Sequence, residues 1–196
     1  MKKIVQSVFI VLAVMPWLVW KCVYALGDRE NSIQGVSQFL SLFPGKFGAL
    51  LRAAFYRLAF ANCSQDSVIE FLTTFSHSGA RFGKHFYVGI GANIGWIEAE
   101  DDVRIGAHAY IASGRNQHNF DDPAAPIRMQ GGERVCVRLG RDCWVGVGSC
   151  VYADVGEGSI VSPHSVVVKP VPPYTIVGGN PARIMGKREH AEREEA

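Results

Sequence analysis

The sequence predicts a mainly β protein, a coil of short strands preceded by N-terminal helices. Three observations lead to this prediction. An apolar residue recurs every six positions from residue 82 onward, with glycine or a small residue at fixed offsets from it. Residues 4–26 are mostly apolar and carry one charged residue, a lysine, and residues 43–60 carry apolar positions at helical spacing on one face. The first observation predicts the coil, and the other two predict the helices.

The six-residue repeat determines the predicted fold. A helix would need apolar residues at 3.6-residue spacing, and an ordinary strand would alternate apolar and polar residues. A period of six instead fits short strands joined by turns around a three-sided coil, whose core is supplied by stacking one coil on the next. The periodic positions are Phe82, Val88 and Ile94, then Ile105 and Ile111, then Leu139, Val145 and Val151, and finally Val155, Val161 and Val167.

The repeat is interrupted in three places. It slips by one residue between Ile94 and Ile105 and by two residues between Val151 and Val155, which we interpret as shortened corners of the coil. It stops over residues 113–123, SGRNQHNFDDP, where a histidine stands between two amide side chains and is followed by paired carboxylates. A departure of this kind from a regular pattern marks a candidate functional segment.

The N-terminal segment is a candidate membrane anchor. Residues 4–20 carry no charge, and the apolar stretch is close to the length needed to cross a bilayer. Lys2 and Lys3 precede it, so a secretory signal peptide is the alternative. Pro16 removes one helical hydrogen bond and can kink a helix. We predict a membrane helix that stays part of the protein and is not cleaved off as a signal peptide. This prediction includes a re-entrant helix, which enters and leaves the membrane on the same side.

The second N-terminal segment is predicted to be an amphipathic helix. Residues 43–60, FPGKFGALLRAAFYRLAF, contain Lys46, Arg52 and Arg57 and no acidic residue. A basic amphipathic helix beside an apolar anchor favours an interfacial position on anionic lipid. A helix packed on the domain core is the alternative interpretation. The predicted apolar face consists of Phe47, Leu50, Leu51, Ala54, Phe55 and Leu58.

Composition excludes several functional classes. Lys+Arg 20 against Asp+Glu 18 leaves a formal charge of +2, and no basic run or nucleic-acid-binding motif is present, so we expect no nucleic-acid partner. The five cysteines show no C-x-x-C spacing, which indicates neither a disulfide framework nor a zinc site. Reduced thiols are typical of the cytoplasm.

These patterns divide the chain into four predicted parts. Residues 1–30 form the membrane-anchoring segment, and residues 31–65 form the amphipathic interfacial region. Residues 66–186 form the coil domain. Residues 187–196, KREHAEREEA, form a charged tail that we expect to be a solvated helical end without chemistry.

Residues 80–188 resemble the hexapeptide-repeat acyltransferases. The most specific parts of the likeness are VRLGRDCWVGVGS at 137–149 and GEGSIVSPHSVVVKPVPPYTIVGGNPARIMGKR at 156–188. The chain is most similar in character to galactoside, maltose and xenobiotic O-acetyltransferases and to acetyltransferases of polysaccharide-synthesis loci. The resemblance implies a left-handed parallel β-helix with a loop insertion and a short C-terminal helix. It also implies a homotrimer and acetyl-CoA as co-substrate.

The resemblance gives the interrupted stretch a function. In this family a loop leaves the coil and carries a catalytic histidine to a cleft between subunits, and His118 occupies that position. A neutral imidazole can accept the proton of an attacking hydroxyl near neutral pH. Asp121 or Asp122 could orient the ring, and the sequence does not distinguish between them. A polar loop histidine without a role is the alternative.

The remaining site residues also follow from the resemblance. Lys169 and Arg183 could bind phosphates, one as a point charge and the other as a fork. Asn93 is a candidate for contacting the acceptor, although the register slip after it makes its alignment doubtful. Trp144 is expected near both substrates, with a purely structural tryptophan as the alternative. The positions expected to contact acetyl-CoA are Trp144, Gly146, Ser165, Lys169 and Arg183, and those expected to contact the acceptor are Asn93 and Trp144.

The predicted function is an O-acetyltransferase that acts on a hydroxyl of a sugar or lipid-linked glycan in polysaccharide biosynthesis. We expect it at the cytoplasmic face of the inner membrane, in contact with membrane lipid. Transfer to an amine and a non-catalytic trimeric scaffold are alternatives. Another coil of this kind is a zinc carbonic anhydrase, but the second histidine expected five residues after His118 is replaced by Pro123, so we expect no metal.

Overall fold

The computed structural model describes residues 2–27, 32–64 and 66–189. Within these ranges three helices precede the strands: α1 (Lys2–Leu26), α2 (Ile33–Ser41) and α3 (Gly45–Ala59). The strands that follow are two to five residues long and belong to three sheets. The predicted helical tail lies outside the described residues beyond position 189.

The strands form a three-sided parallel β-helix, as the six-residue repeat predicts. Each turn of the chain contributes one strand to each side, and strands on one side pair in parallel with those of the next coil. Face A contains β1 (Val68–Ile69), β4 (Tyr87–Val88), β7 (Arg104–Ile105), β10 (Trp144–Val145), β12 (Ile160–Val161), β14 (Thr175–Gly178) and β15 (Arg183–Lys187). Face B contains β2 (Thr74–Phe75), β5 (Asn93–Ile94), β8 (Tyr110–Ile111), β11 (Cys150–Val151) and β13 (Val166–Val167). Face C contains β3 (Arg81–Phe82), β6 (Ile97–Ala99) and β9 (Val137–Leu139).

The periodic aliphatic residues fill the centre of the coil. Every one of the eleven positions that define the repeat is at most 2% exposed, from Phe82 to Val167. The small residues four positions later, such as Ala92 and Ser149, are equally buried beside them. One coil alone would leave these side chains in water, so the stacking of coils provides the core. The prediction of the inward-facing positions is confirmed.

The register slips fall at the corner between faces B and C. The slip of one residue follows Ile94 and is absorbed by a short turn at Gly95 and Trp96 before β6. The slip of two residues follows β11, where Val155 pairs with Leu139 and with Val171 to continue face C as single bridges. This corner is the irregular edge of the coil, and the long interruption of the repeat occurs at the same corner.

At two turns, a glycine of one coil lies directly against a histidine ring of the next coil. A Cβ on Gly148, whose φ is +66°, would stand 2.6 Å from the His164 ring of the next coil. His108 covers Gly91 in the same manner, at 2.6 Å. Both histidines themselves have positive φ and are solvent-exposed. Their position in tight turns accounts for them structurally, which separates them from His118.

Helix α3 is packed between α1 and the first coil. Arg52 in the middle of α3 is fully buried and donates hydrogen bonds to the carbonyls of Leu40, Phe43 and Ile69 at 3.0, 2.7 and 2.8 Å. These bonds join α2, α3 and β1. The structure therefore follows the alternative interpretation, a helix packed on the core, rather than the interfacial position we favoured from the sequence.

Helix α1 is continuous through Pro16 and presents two different faces. One face packs on α3: the Phe9 and Phe47 rings lie 5.3 Å apart, and the Trp17 indole N–H donates to the Leu58 carbonyl at 2.9 Å. The other face is exposed and apolar. Ile4–Leu26 is long and apolar enough to cross a membrane, with a mean hydropathy of 2.0, and 11% of it is buried.

The coil ends in an antiparallel pair of strands. After β14 the chain turns at Gly179, whose φ is +96°, and β15 (Arg183–Lys187) returns antiparallel to β14. The outer edge of β14 would otherwise expose unpaired backbone groups, and β15 covers it. The short C-terminal helix that we predict after the coil falls beyond residue 189 and therefore lies outside the described residues.

Candidate active site

The interrupted stretch forms a loop whose two arms are joined by backbone hydrogen bonds. It leaves face B after β8 and re-enters the coil at β9 on face C. The Val135 N–H donates to the Ser113 carbonyl at 3.0 Å, the Glu133 N–H donates to Asn116 at 2.7 Å, and the Asn119 N–H donates to Gly131 at 3.0 Å. These three bonds hold the loop as a ribbon, so a side chain on one arm has a defined position.

The tip of the loop is fixed by Asp122 and Gln130. The Asp122 carboxylate accepts the Ala124 N–H at 2.8 Å, and the Asp122 N–H donates to the side-chain carbonyl of Gln130 at 3.0 Å. The Gln130 amide in turn donates to the carbonyls of Asp122 and Ala125, both at 2.8 Å. Asp122 therefore stabilises a turn, a role different from the ring-orienting one proposed from the sequence.

His118 lies on the first arm and is exposed to solvent. Its backbone lies close to Gly132 on the second arm. A Cβ added to Gly132 would stand 2.8 Å from the backbone nitrogen of His118. Within residues 66–189 no side chain forms a hydrogen bond or ion pair with the imidazole, and Asp121 is likewise exposed at the tip. The ring is fixed at its backbone and is accessible to a substrate.

A polar cavity lies at the base of this loop. It has a volume of about 240 Å³ and is enclosed by face B, by the loop and by α2. Gln117, the residue before His118, is one of its walls, so the cavity and the candidate base share the same arm. The residues that line it include Gln34, Ser76, His77, Asn93, Tyr110, Gln117 and Arg134.

The register of Asn93 is regular in the structure. It pairs with Thr74 on one side and Tyr110 on the other, and its side-chain amide donates to the Thr74 hydroxyl at 3.0 Å. The slip in the repeat follows it and does not shift it. Its exposed side chain points outward from face B into the polar cavity, as an acceptor contact would require.

His77 is a buried member of the cavity that sequence reasoning did not assign. Its ring stacks on Trp96 with centroids 4.6 Å apart and planes 13° apart, and its Nδ1 accepts the Gly79 N–H at 3.0 Å. Accepting at Nδ1 leaves the proton of the neutral ring on Nε2. In the first coil the six-residue step from Ile69 to Phe75 marks only inward-facing positions, so it gave no signal for this histidine or for Gln34.

Trp144 lies on another side of the coil. It is 46% exposed on the outer surface of face A, between Arg104 and Ile160 of the neighbouring strands. Gly146, two residues on, is buried, and a Cβ there would stand 2.5 Å from the Pro163 nitrogen. Because Asn93 is on face B, a single chain does not bring Trp144 and Asn93 into one site.

The three remaining predicted positions differ in accessibility. Ser165 is fully buried: its hydroxyl donates to the Ser162 carbonyl at 2.6 Å and accepts the Gly179 N–H at 3.2 Å. Its side chain is therefore part of the coil interior, and the predicted contact of Ser165 with acetyl-CoA stays a prediction that concerns its backbone. Lys169 and Arg183 are exposed, each at a different edge of the last coil. Among the described residues no group of three or more His, Cys, Asp or Glu could hold a metal ion.

The chain is similar to known acetyltransferases in sequence. No family model matches it. It is 28% identical over 174 residues to an Escherichia coli protein, WbbJ, named as a lipopolysaccharide biosynthesis O-acetyl transferase, a match that covers 72% of this chain and 85% of that protein. It is 33% identical over 120 residues, 58% of this chain, to a Mycobacterium tuberculosis protein named as an acetyltransferase, but spans 39% of that protein's length.

The fold is similar to solved structures of acetyltransferases. A maltose O-acetyltransferase from Clostridium difficile matches with a TM-score of 0.71 at 21% identity, over 83% of this chain and 88% of that one. A hexapeptide-repeat-containing acetyltransferase from Vibrio cholerae, solved with acetyl coenzyme A, matches with a TM-score of 0.62 at 20% identity, over 82% and 87%. The six-residue repeat, the three-sided coil and these relatives show that the chain is similar to hexapeptide-repeat acetyltransferases, and the sequence relatives support an acyltransferase activity.

Proposed function

We propose that the protein transfers an acetyl group from acetyl-CoA to a hydroxyl of a sugar or lipid-linked glycan. The observation that carries this proposal is the exposed imidazole of His118 on a hydrogen-bonded loop arm, beside a cavity lined by amides, hydroxyls, a histidine and one arginine. Such a cavity suits a polyhydroxyl compound, because amides, hydroxyls and a histidine can each donate to or accept from sugar hydroxyls. The relatives named as O-acetyl transferases support the same chemistry.

The proposed reaction is a direct transfer. His118 accepts the proton of the acceptor hydroxyl while the oxygen attacks the thioester carbon, and backbone N–H groups stabilise the oxyanion of the tetrahedral intermediate. The carbon–sulfur bond then breaks, and the proton on the imidazolium passes to the coenzyme A thiolate. Asn93 and Gln117 position the sugar. General-base assistance of this kind contributes about 10²–10⁴-fold to the rate.

The proposed acetyl-CoA site requires a second copy of the chain. Trp144 and the cavity that contains Asn93 lie on different faces, so one subunit's face A and another's face B must meet to place both substrates together. In a homotrimer, face A of each subunit contacts face B of its neighbour, so every face A and every face B takes part in one contact. The exposed Trp144 ring, Lys169 and Arg183 are available to contact acetyl-CoA, whereas the Ser165 side chain lies in the core.

The proposed location is the cytoplasmic face of the inner membrane. Helix α1 packs on α3, and α3 packs on the first coil, so α1 cannot stand apart from the folded domain. Its outward face is apolar over its length, which favours insertion in the lipid with the coil beside the membrane. An acceptor made of sugar carried on lipid would be presented at this surface.

The test is an acetyl-transfer assay with the full-length protein in detergent. Wild type, His118→Ala and the matched control His108→Asn are incubated with acetyl-CoA and a panel of sugars and alkyl glycosides, and O-acetyl products are measured by mass spectrometry. We expect a loss of at least about 100-fold in kcat for His118→Ala and near wild-type activity for His108→Asn, since asparagine tolerates positive φ. Equal activity of all three proteins would rule out His118 as the base, and amine acetylation alone would favour N-acetyl transfer.

A further inference from the structure

The N-terminal helices enclose a second, apolar groove close to the polar cavity. It lies between α1, α2 and α3, has a volume of about 440 Å³, and is lined almost entirely by aliphatic and aromatic side chains. This volume is within the range of about 300–1,000 Å³ that is typical of ligand sites. Its walls include Leu12, Met15 and Val19 of α1 and Val36 and Phe39 of α2.

Helix α2 connects the groove and the cavity. Gln34, at its start, lines the polar cavity, whereas the next two residues, Gly35 and Val36, line the apolar groove. The two sites are therefore separated by the width of one short helix. The position of α2 is fixed by Ser37, whose hydroxyl bonds the Tyr56 hydroxyl at 2.6 Å and accepts the Phe75 N–H at 2.7 Å.

The polar end of this pair of sites coincides with an aromatic and basic cluster on α1. The Lys21 ammonium lies 5.6, 5.0 and 5.7 Å from the ring centres of Trp17, Trp20 and Tyr24. The Trp20 indole N–H donates to the Ser32 hydroxyl at 3.1 Å, two residues before Gln34. Tryptophan, tyrosine and lysine side chains are typical of the level of the lipid headgroups.

The apolar groove runs from this level toward the N-terminal end of α1. Val19, Met15 and Leu12 follow one another along α1, and seven residues of helix correspond to a length of about 10 Å. The neighbouring outward side chains of α1 are exposed and apolar, among them Val8 at 53% and Val11 at 72%. A chain in the groove would thus be continuous with lipid-facing surface on one side and with the polar cavity on the other.

We propose that this groove binds the hydrocarbon chain of a lipid-linked acceptor, whose sugar enters the polar cavity beside Gln117 and His118. The inference rests on the proposed function and makes its acceptor more specific: a saccharide attached to an alkyl or prenyl chain, and not a free sugar. Burial of a few methylene groups is enough to change an affinity by more than tenfold. The attached chain therefore determines which acceptors are used.

Gly35 provides a selective test. A side chain added at this position meets no atom within 4 Å, the residue has an ordinary φ, and it lies inside α2, so Gly35→Phe fills the groove and favours the helix. Gly186→Phe is the matched control, because a side chain at Gly186 on β15 also meets nothing within 4 Å and lies far from the groove in the chain.

The experiment measures binding and transfer separately, with the full-length protein in phospholipid nanodiscs. The binding probe is an alkyl glucoside with a photoreactive diazirine on its C10 chain, and labelled residues are located by mass spectrometry. We expect labelling of α1 and α2 residues in wild type and Gly186→Phe and at least a fivefold loss in Gly35→Phe. Labelling that is unaffected by Gly35→Phe, or is competed equally by phospholipid without sugar, would overturn the inference.

Acetyl transfer to methyl and decyl glucoside then separates this inference from the proposed function. We expect kcat/KM to be at least tenfold higher for the decyl compound in wild type, and this preference to disappear in Gly35→Phe. Equal rates on both glucosides in wild type would keep the acetyltransferase and refute the hydrocarbon site. Groove labelling without any acetyl transfer would refute the proposed function and leave a lipid-binding protein.

Discussion

Arg52 provides a quantitative test of how the N-terminal helices are attached to the coil. Its guanidinium joins three elements through hydrogen bonds to Leu40, Phe43 and Ile69, and burial holds the pKa of Arg52 below its ordinary value. One of its nitrogens, Nη2, has no hydrogen-bond partner among the described residues. Replacement by methionine keeps the length and most of the volume of the side chain and removes all three bonds.

The expected loss follows from those bonds. A hydrogen bond from a charged group contributes about 1.5–3 kcal/mol, and we take the lower value because the cost of burying the charge is relieved in the variant. Three bonds then give a fall of about 4.5 kcal/mol in the free energy of unfolding, or roughly 10–15 °C in Tm for a protein of this size. Arg57, exposed in the last turn of the same helix, provides the control, and Arg57→Met should change stability by less than about 0.5 kcal/mol.

The assay is urea unfolding of both variants in detergent, followed by far-UV circular dichroism. Limited proteolysis between residues 27 and 45 reports whether the helices detach before the coil unfolds. A difference of less than about 1 kcal/mol between Arg52→Met and Arg57→Met would refute the conclusion that Arg52 joins the helices to the coil.

Three further predictions concern the coil and the loop. Gly140→Val should prevent correct folding or lower Tm by more than 10 °C, roughly the effect of about 4 kcal/mol, because a Cβ there stands 2.5 Å from the Glu157 nitrogen; unchanged melting would contradict the stacking described. Asp122→Asn should keep both Tm and turnover, because an amide oxygen can still accept the Ala124 N–H. Asp122→Ala should lower both Tm and turnover. A shifted pH profile of turnover in Asp122→Asn alone would instead indicate that the Asp122 charge supports His118. Burial raises the pKa of the Cys63 and Cys143 thiols from 9.0 to about 12, so these thiols ionise in the unfolded chain before they do in the folded one. The free energy of unfolding should therefore fall between pH 9 and pH 12, by roughly 1 kcal/mol per pH unit for each thiol. It should fall less steeply in Cys143→Ala than in wild type. Equal slopes of unfolding free energy against pH in the two proteins would contradict the prediction.

The sequence predicted the coil because its core has one simple requirement. Each inward position accepts a branched aliphatic residue at a fixed interval, so the repeat identified the strands, and the slips identified the irregular corner at Gly95 and before Val155. The small residue four positions later is buried by the same rule. That rule already placed Ser165 inside the coil, although the family resemblance suggested it as an acetyl-CoA contact.

The helices and the site were less accessible from sequence, for physical reasons. An amphipathic helix with basic residues looks the same whether its apolar face meets lipid or protein, and only the buried Arg52 in the structure distinguishes the two for α3. The polar cavity brings together residues as distant in the chain as Gln34, Asn93 and Arg134. No local pattern reports such a juxtaposition, which arises only when α2, face B and the loop meet.

The proposed function depends on His118 acting as the general base of an acetyl-CoA-dependent transfer. The most direct measurement is acetyl-CoA binding by isothermal titration calorimetry, together with slow hydrolysis of acetyl-CoA, in wild type and His118→Ala. We expect similar affinity for acetyl-CoA in both proteins and hydrolysis in wild type only. Absence of binding in both proteins, or equal hydrolysis by both, would contradict the proposed function.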